Sequence, residues 1–321
     1  MFKKKLKTAI SIMAFVLLLT SCAEHTTDPI SSSSNATTAQ SSQTQITTDA
    51  PSSGEIKADP GMIADSLRKV IKDAKTVEEL NSGIGDIDSS GIIAEIQVYP
   101  TYDFYKANVC KTSGALLSVA TVVRVVYADR SFELFMRPHN TDQPLLYGEF
   151  AVGLAEVVRK SSGAASQTQD SVGYIKKQVE AFDSGKCVSD VSVYANRDDM
   201  NSGKKLTSGN IDYPAIIKVT YTTDNSEQTF EYATTHKDYI ADDYEQMSLI
   251  LNIADTVRKA TTVDELNAAI KAADTKKLIT SSKAYRSSGD SAKDTEITSG
   301  ALKSGDRIVF AYNGGAMQLI K

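Results

Sequence analysis

The stretch Thr112-Ser113-Gly114-Ala115-Leu116 returns as Thr207-Ser208-Gly209-Asn210-Ile211 and again as Thr298-Ser299-Gly300-Ala301-Leu302. The spacings are 95 and then 91 residues. Tyr99 keeps the same spacing to Tyr194 and Tyr285, and Tyr127 keeps it to Tyr221 and Tyr312 with one residue of slippage. A tripeptide recurs by chance, whereas a tripeptide flanked by two tyrosines in register marks an internal repeat. The expectation is three tandem copies of one structural unit, at 60–143, 144–240 and 241–321.

Each copy opens with an apolar stripe at helical spacing. In the first it is Ile63, Leu67, Val70, Ile71 and Ala74, and in the third Leu249, Ile253, Thr256, Val257 and Ala260, without a gap between the two registers. In the second it is Phe150, Leu154, Val157 and Val158. A second helix follows, announced by the capping boxes Thr76-Val77-Glu78-Glu79 and Thr262-Val263-Asp264-Glu265. The second copy offers Ser171 as cap, with Tyr174 where the box wants Glu, and inserts about eight residues, Gly163–Asp170, expected as a surface loop. Strands come next, over Ile92–Tyr99, Cys187–Tyr194 and Leu278–Tyr285. The Thr-Ser-Gly segment leads into a second strand and a hairpin follows, most plainly at Asn313-Gly314-Gly315. The predicted fold class is α+β: three tandem α-α-β-β-β-β units, each an antiparallel meander sheet with two helices on one face. The Thr-Ser-Gly segment reads as a bend in which Gly supplies an unusual φ. An anion nest would want a basic residue beside all three copies, and none accompanies them.

The chain has 321 residues, no Trp and a formal charge of −5, and four of its lysines lie within the first seven residues. Such an acidic remainder excludes nucleic acid, whose phosphates need clustered Lys and Arg. Met1–Lys7 is a basic n-region, and Ala9–Leu19 is an apolar run too short to span a bilayer, so residues 1–21 read as a signal peptide. Leu19-Thr20-Ser21-Cys22 then resembles a bacterial lipobox. The resemblance implies diacylglycerol transfer to the Cys22 thiol, cleavage before Cys22, and a mature chain held to the bilayer by its acyl groups (palmitate among the fatty acids) on the extracytoplasmic face. Ala23 follows, where Asp would mark inner-membrane retention. Residues 22–59 are rich in Ser, Thr, Gln and Asn and nearly lack large apolar side chains, so they are expected to form a disordered tether.

Of the other cysteines, Cys187 is expected at a buried strand position and Cys110 at a more exposed one, and a disulfide between them would require their two units to pack in one particular way. No C-x-x-C, Walker motif, nucleophile elbow or intact calcium-loop frame is present, so no catalytic residue, metal or cofactor is assigned. The loop after the first strand differs between copies. It is polar at Ala195–Lys204 and Arg286–Asp294, but at Pro100–Asn108 it carries Tyr102, Phe104 and Tyr105. These three are the candidate binding residues, because aromatic rings on a loop serve contacts with sugars or proteins, the competing role being packing against a neighbouring unit. The functional expectation is a non-enzymatic binding or adhesion lipoprotein of the cell envelope, with a cell-wall, glycan or protein partner. A solute-binding lipoprotein of a transporter and a cell-envelope hydrolase are the alternatives.

Overall fold

The computed structural model describes residues 60–117, 120–138, 145–165, 168–212, 214–231, 243–286 and 294–321. Cys22 and the tether expected over 22–59 lie outside the described residues. The described residues belong to one compact unit.

In the stretch read above as the first repeat, a label kept below for its place in the sequence, α1 (Pro60–Asp73) and α2 (Val77–Ile87) are followed by β1 (Ile93–Tyr99), the short α3 (Tyr102–Lys106), β2 (Val109–Gly114), β3 (Val122–Tyr127) and β4 (Phe132–Met136). The second holds β5 (Leu146–Tyr147), α4 (Glu149–Ala165), α5 (Ser171–Phe182), β6 (Val188–Tyr194), the short α6 (Arg197–Asn201), β7 (Ile216–Tyr221) and β8 (Glu227–Glu231). The third holds α7 (Tyr244–Lys259), α8 (Val263–Ala273), β9 (Ile279–Arg286), β10 (Thr295–Ile297), β11 (Arg307–Tyr312) and β12 (Gly315–Ile320). The architecture is α+β with antiparallel sheets.

The sheets are not meanders. In the first and third repeats the strand order is β2-β1-β3-β4 and β10-β9-β11-β12, and in the second β6-β7-β8, with Leu206 bridged to Val193 on the outer side of β6. The second strand thus folds back outside the first, and the third crosses to the first strand's other edge. The Thr-Ser-Gly segment, expected to lead into the second strand, instead closes it and turns the chain toward the crossing. Gly114, Gly209 and Gly300 all take positive φ, a conformation that costs a residue with a Cβ about 1–2 kcal/mol. The chain that follows is stitched to the start of the second helix: Leu116 N–H donates to Lys75 O, Val172 N–H to Gly209 O, and Leu302 N–H to Thr261 O. Those bonds draw the chain off the sheet edge and beneath the helix, and it re-enters on the far side of the first strand.

Helix starts are satisfied as the capping boxes require. Thr76 Oγ1 accepts from Glu79 N–H at 3.1 Å and Thr262 Oγ1 from Glu265 N–H at 3.2 Å. The two Glu side chains reach one residue further back than the box describes, to the N–H groups of Lys75 and Thr261. In the second repeat the cap is Asp170, not Ser171. Its carboxylate accepts from Gly173 N–H, while Ser171 is the first helical residue and donates to Ala165 O. The expected insertion is also shorter, because α4 continues to Ala165. At the other end of the second helix a device recurs at the same spacings of 95 and 91 residues. Asp88, Asp183 and Asp274 each accept two successive backbone N–H bonds, from Ile92 and Ile93, from Cys187 and Val188, and from Leu278 and Ile279.

Three apolar clusters hold the layers together. Leu67, Ile71, Leu80 and Ile84 of α1 and α2 pack on Val98, Val123, Val125 and Phe135. Ile250, Val257, Leu266 and Ile270 of α7 and α8 pack on Ile308, Phe310, Met317 and Leu319. Leu154, Val158, Ile175 and Val179 of α4 and α5 pack on Val193, Ile217 and Val219. α4 is buried on a second side too, where Val152 and Ala155 meet Val122, Leu134 and Met136 on the face of the first repeat's sheet opposite α1 and α2.

The first and third repeats share one sheet. β12 pairs antiparallel with β2, giving nine strands in the order β10-β9-β11-β12-β2-β1-β3-β4-β5. Val98 pairs with Lys111 and Lys111 with Met317, and directly paired residues share a face. The helix pairs α1/α2 and α7/α8 therefore lie on the same side of this sheet.

Candidate functional site

The expected candidates Tyr102, Phe104 and Tyr105 fall on α3, which packs against α4. Phe104 is 1% exposed and belongs to the core, so it offers nothing to a partner. Tyr102 and Tyr105 are half-buried and stack at 5.6 Å, and Tyr105 meets Tyr99 edge-on at 5.4 Å. Burial, then the Glu149 carboxylate, pushes the Tyr102 phenol up to about 12 and raises that of Tyr105. An ion pair of 2.6 Å between Asp103 and Lys160 fastens α3 to α4. Phe104 is thus a packing residue, while Tyr102 and Tyr105 keep part of their surface beside α4. One apolar helix turn is cheaper to cover than to solvate, and α4 is there to cover it.

The cysteines also exchange places. Cys110 is 8% exposed because β2 lies in the middle of the nine-stranded sheet, and Cys187 is partly exposed because it sits in the turn before β6. Both are free thiols.

The side chains that gather with solvent access lie on the sheet face opposite α7 and α8. Alternation along each strand and pairing across strands decide which they are. Gln97 pairs with Arg124, Cys110 with Gln318, Gln318 with Val309, Val309 with Lys283, and Arg307 with Tyr285. Val309 and Ala311 are partly exposed and belong to none of the three apolar clusters. Six strands, β3-β1-β2-β12-β11-β9, contribute to the strip, so at 4.7–4.9 Å per strand it runs about 24 Å across the seam between the first and third repeats.

Two polar networks order the strip. In the first, Gln97 Oε1 accepts from Tyr99 Oη at 2.8 Å and Arg124 Nη1 at 3.0 Å, while its amide nitrogen donates to Glu95 at 2.8 Å. Arg124 lies over the Phe132 ring at 4.2 Å, and that ring is 42% exposed. In the second, Arg307 pairs with Asp294 at 2.9 Å, donates to Gln318 at 3.3 Å and covers the Tyr285 ring at 5.0 Å, and Lys283 pairs with Glu296 at 3.0 Å. Cys110 stands between the networks with its thiol raised by burial. Burial also raises the Tyr99 phenol well above its ordinary range, so it stays neutral and donates.

Chemically the strip offers guanidinium and amide groups held in fixed orientation beside aromatic faces. Among the described residues no group of three His, Cys, Asp or Glu side chains is placed to hold a metal ion. No described helix is long and apolar enough to cross a membrane. Compared with known protein families, curated proteins and solved structures, the chain matches none. The alternation on β11, with Arg307, Val309 and Ala311 on one face and Ile308, Phe310 and Tyr312 on the other, was open to reading in the sequence. The β12–β2 pairing that brings Gln318 beside Cys110 was not.

Proposed function

We propose that this chain is a membrane-anchored, extracytoplasmic lipoprotein made of three α+β modules, non-enzymatic, which binds an extended polar polymer such as a cell-envelope glycan on the open face of its large sheet. The observation that carries the reading is the continuity of that face across the seam. Glycan hydroxyls are met by planar, pre-oriented donors and acceptors such as Arg124, Gln97, Arg307 and Gln318, and sugar rings by aromatic faces such as Tyr285 and Phe132. The anchor follows from the lipobox-like Leu19-Thr20-Ser21-Cys22, and a tether over 22–59 would lift the modules roughly 30–40 Å off the bilayer. In this reading the modules act less as independent copies than as parts of one surface, because the first and third contribute to the same strip.

The test is one of binding against stability. The Cys22→Ala chain should leave the membrane fraction and serve as a soluble ligand-binding form. In that form, Arg124→Ala with Tyr285→Ala should weaken binding to purified wall polymer by about tenfold or more while the melting temperature holds, since truncation of aromatic and arginine anchors is what interfaces feel most. Equal binding of the two forms would remove the open face as the binding surface.

A further inference from the structure

The seam itself carries an inference beyond ligand binding. Position 111 precedes the Thr-Ser-Gly segment, and its equivalents in the other repeats are Leu206 and Ile297. Only the first repeat places a charge there. The Lys111 side chain is 3% exposed, with Nζ 2.6 Å from Asp243 Oδ2; the Asp243 side chain, at the N-terminus of α7, is 7% exposed. Met247 Sδ lies 3.7 Å from the same ammonium, and the Tyr312 ring lies 5.8 Å from it. The Tyr312 phenol faces the Asp243 carboxylate, and burial followed by that carboxylate's charge raises it, so it stays neutral; among the described residues the Lys111 ammonium is the charge that compensates this buried carboxylate. The backbone is equally particular. A Cβ on Gly114 would overlap the carbonyl oxygen of Gly314, one on Gly315 would overlap that of Ser113, and one on Gly314 would come within 3.1 Å of Asp243 Cβ.

These features bear on a problem that repetition creates. The β2 edge accepts the last strand of a repeat, and the chain contains another such strand, β8, while a second copy of the chain would bring more. Backbone hydrogen bonding alone does not distinguish them, because every strand edge presents the same N–H and C=O groups. We infer that Lys111 and Asp243 form a partner-selecting lock, which admits β12 of the same chain to the β2 edge and rejects strands that arrive without a matching carboxylate. A wrong strand would bury the Lys111 ammonium with no counter-charge, a penalty of the kind that fixes register and partner in other buried polar pairs. Repeats whose equivalent residue is Leu206 or Ile297 lack this means of choosing.

The experiment uses the full chain with Gln318→Cys, which sets a thiol directly opposite the native Cys110 across the seam. Oxidation reports whether β2 and β12 come from one chain or two. With Lys111 and Asp243 intact, the cross-link forms within one chain at every protein concentration. With Lys111→Leu and Asp243→Leu together, refolding at rising concentration yields cross-linked dimers as a growing fraction, visible on non-reducing gels and by light scattering. The exchanged pair, Lys111→Asp with Asp243→Lys, restores the intrachain link. An apolar double variant that refolds only to monomers with the intrachain link overturns the lock. So does an apolar variant that does not fold at all, because the pair would then serve stability and not choice.

Discussion

The shared sheet of the first and third repeats and the separate sheet of the second show how one local design reaches two outcomes. Both follow the same recipe: two helices, a fold-back second segment closed by a positive-φ Gly, and an Asp that ties off the second helix. In the first and third repeats the outer edges meet, and with β5 of the second added beside β4 nine strands result. Among the described residues, β6-β7-β8 of the second form a sheet of their own, with the Leu206 bridge beside β6. Local hydrogen bonding therefore builds the repeat, and a few side chains at its edges decide what it joins.

The comparison can be broken most severely at the seam. Lys111→Met should cost about 3–5 kcal/mol in chemical denaturation, since it leaves the Asp243 carboxylate buried and unpaired. Leu206→Ala, at the equivalent and more exposed position, should cost only about 1 kcal/mol. Equal losses would mean that the seam is no different from the edge of the second repeat.

Next come the shared cores. Leu80→Ala, Leu266→Ala and Ile175→Ala should each cost about 2–5 kcal/mol, because all three side chains are at most 1% exposed and face a sheet. Similar values at the three sites would sharpen the view that the repeats are held by the same means. A loss below about 1 kcal/mol at Ile175 would show that the second repeat relies on α4's other contacts.

A smaller effect separates the glycines. Gly209→Ala meets open space and should cost only the positive-φ strain, about 1–2 kcal/mol. Gly114→Ala carries the same strain and also drives a methyl group into the backbone of the third repeat, adding about 1–3 kcal/mol. Equal melting temperatures would contradict the close approach at the seam.

The mildest test is acid. Glu78 is held below its ordinary value by its own backbone N–H and, less strongly, by that of Gly114, and Glu265 by the N–H of Thr261. A depressed carboxylate contributes stability above its unfolded pKa of 4.5 and loses it as pH falls through the folded value. Glu78→Gln should therefore flatten the fall of melting temperature with acid below about pH 4.5. An unchanged acid limb would leave Glu78 without a part in fastening Gly114 to α2.

What the sequence determined by itself is what near neighbours determine. Leu67, Leu80 and Leu266 at helical spacing, Thr76 and Thr262 before an acid, and Gly114, Gly209 and Gly300 before a change of direction are each settled within a few residues, by helix periodicity, capping and the sterics of φ. The Asp88, Asp183 and Asp274 ties were local as well, and at spacings of 95 and 91 residues they keep the register of the Thr-Ser-Gly repeat, so they too were legible in the sequence. Only the tertiary structure decided that β2 returns outside β1, that Phe104 turns inward beneath α4, that β12 joins β2, and that Gln97, Arg124, Gln318 and Arg307 share one face. Each of these depends on residues far apart in the chain. The backbone groups that make the joins are the same in every strand, so the outcome rests on packing and buried charge, as at Lys111 and Asp243, which no local pattern records.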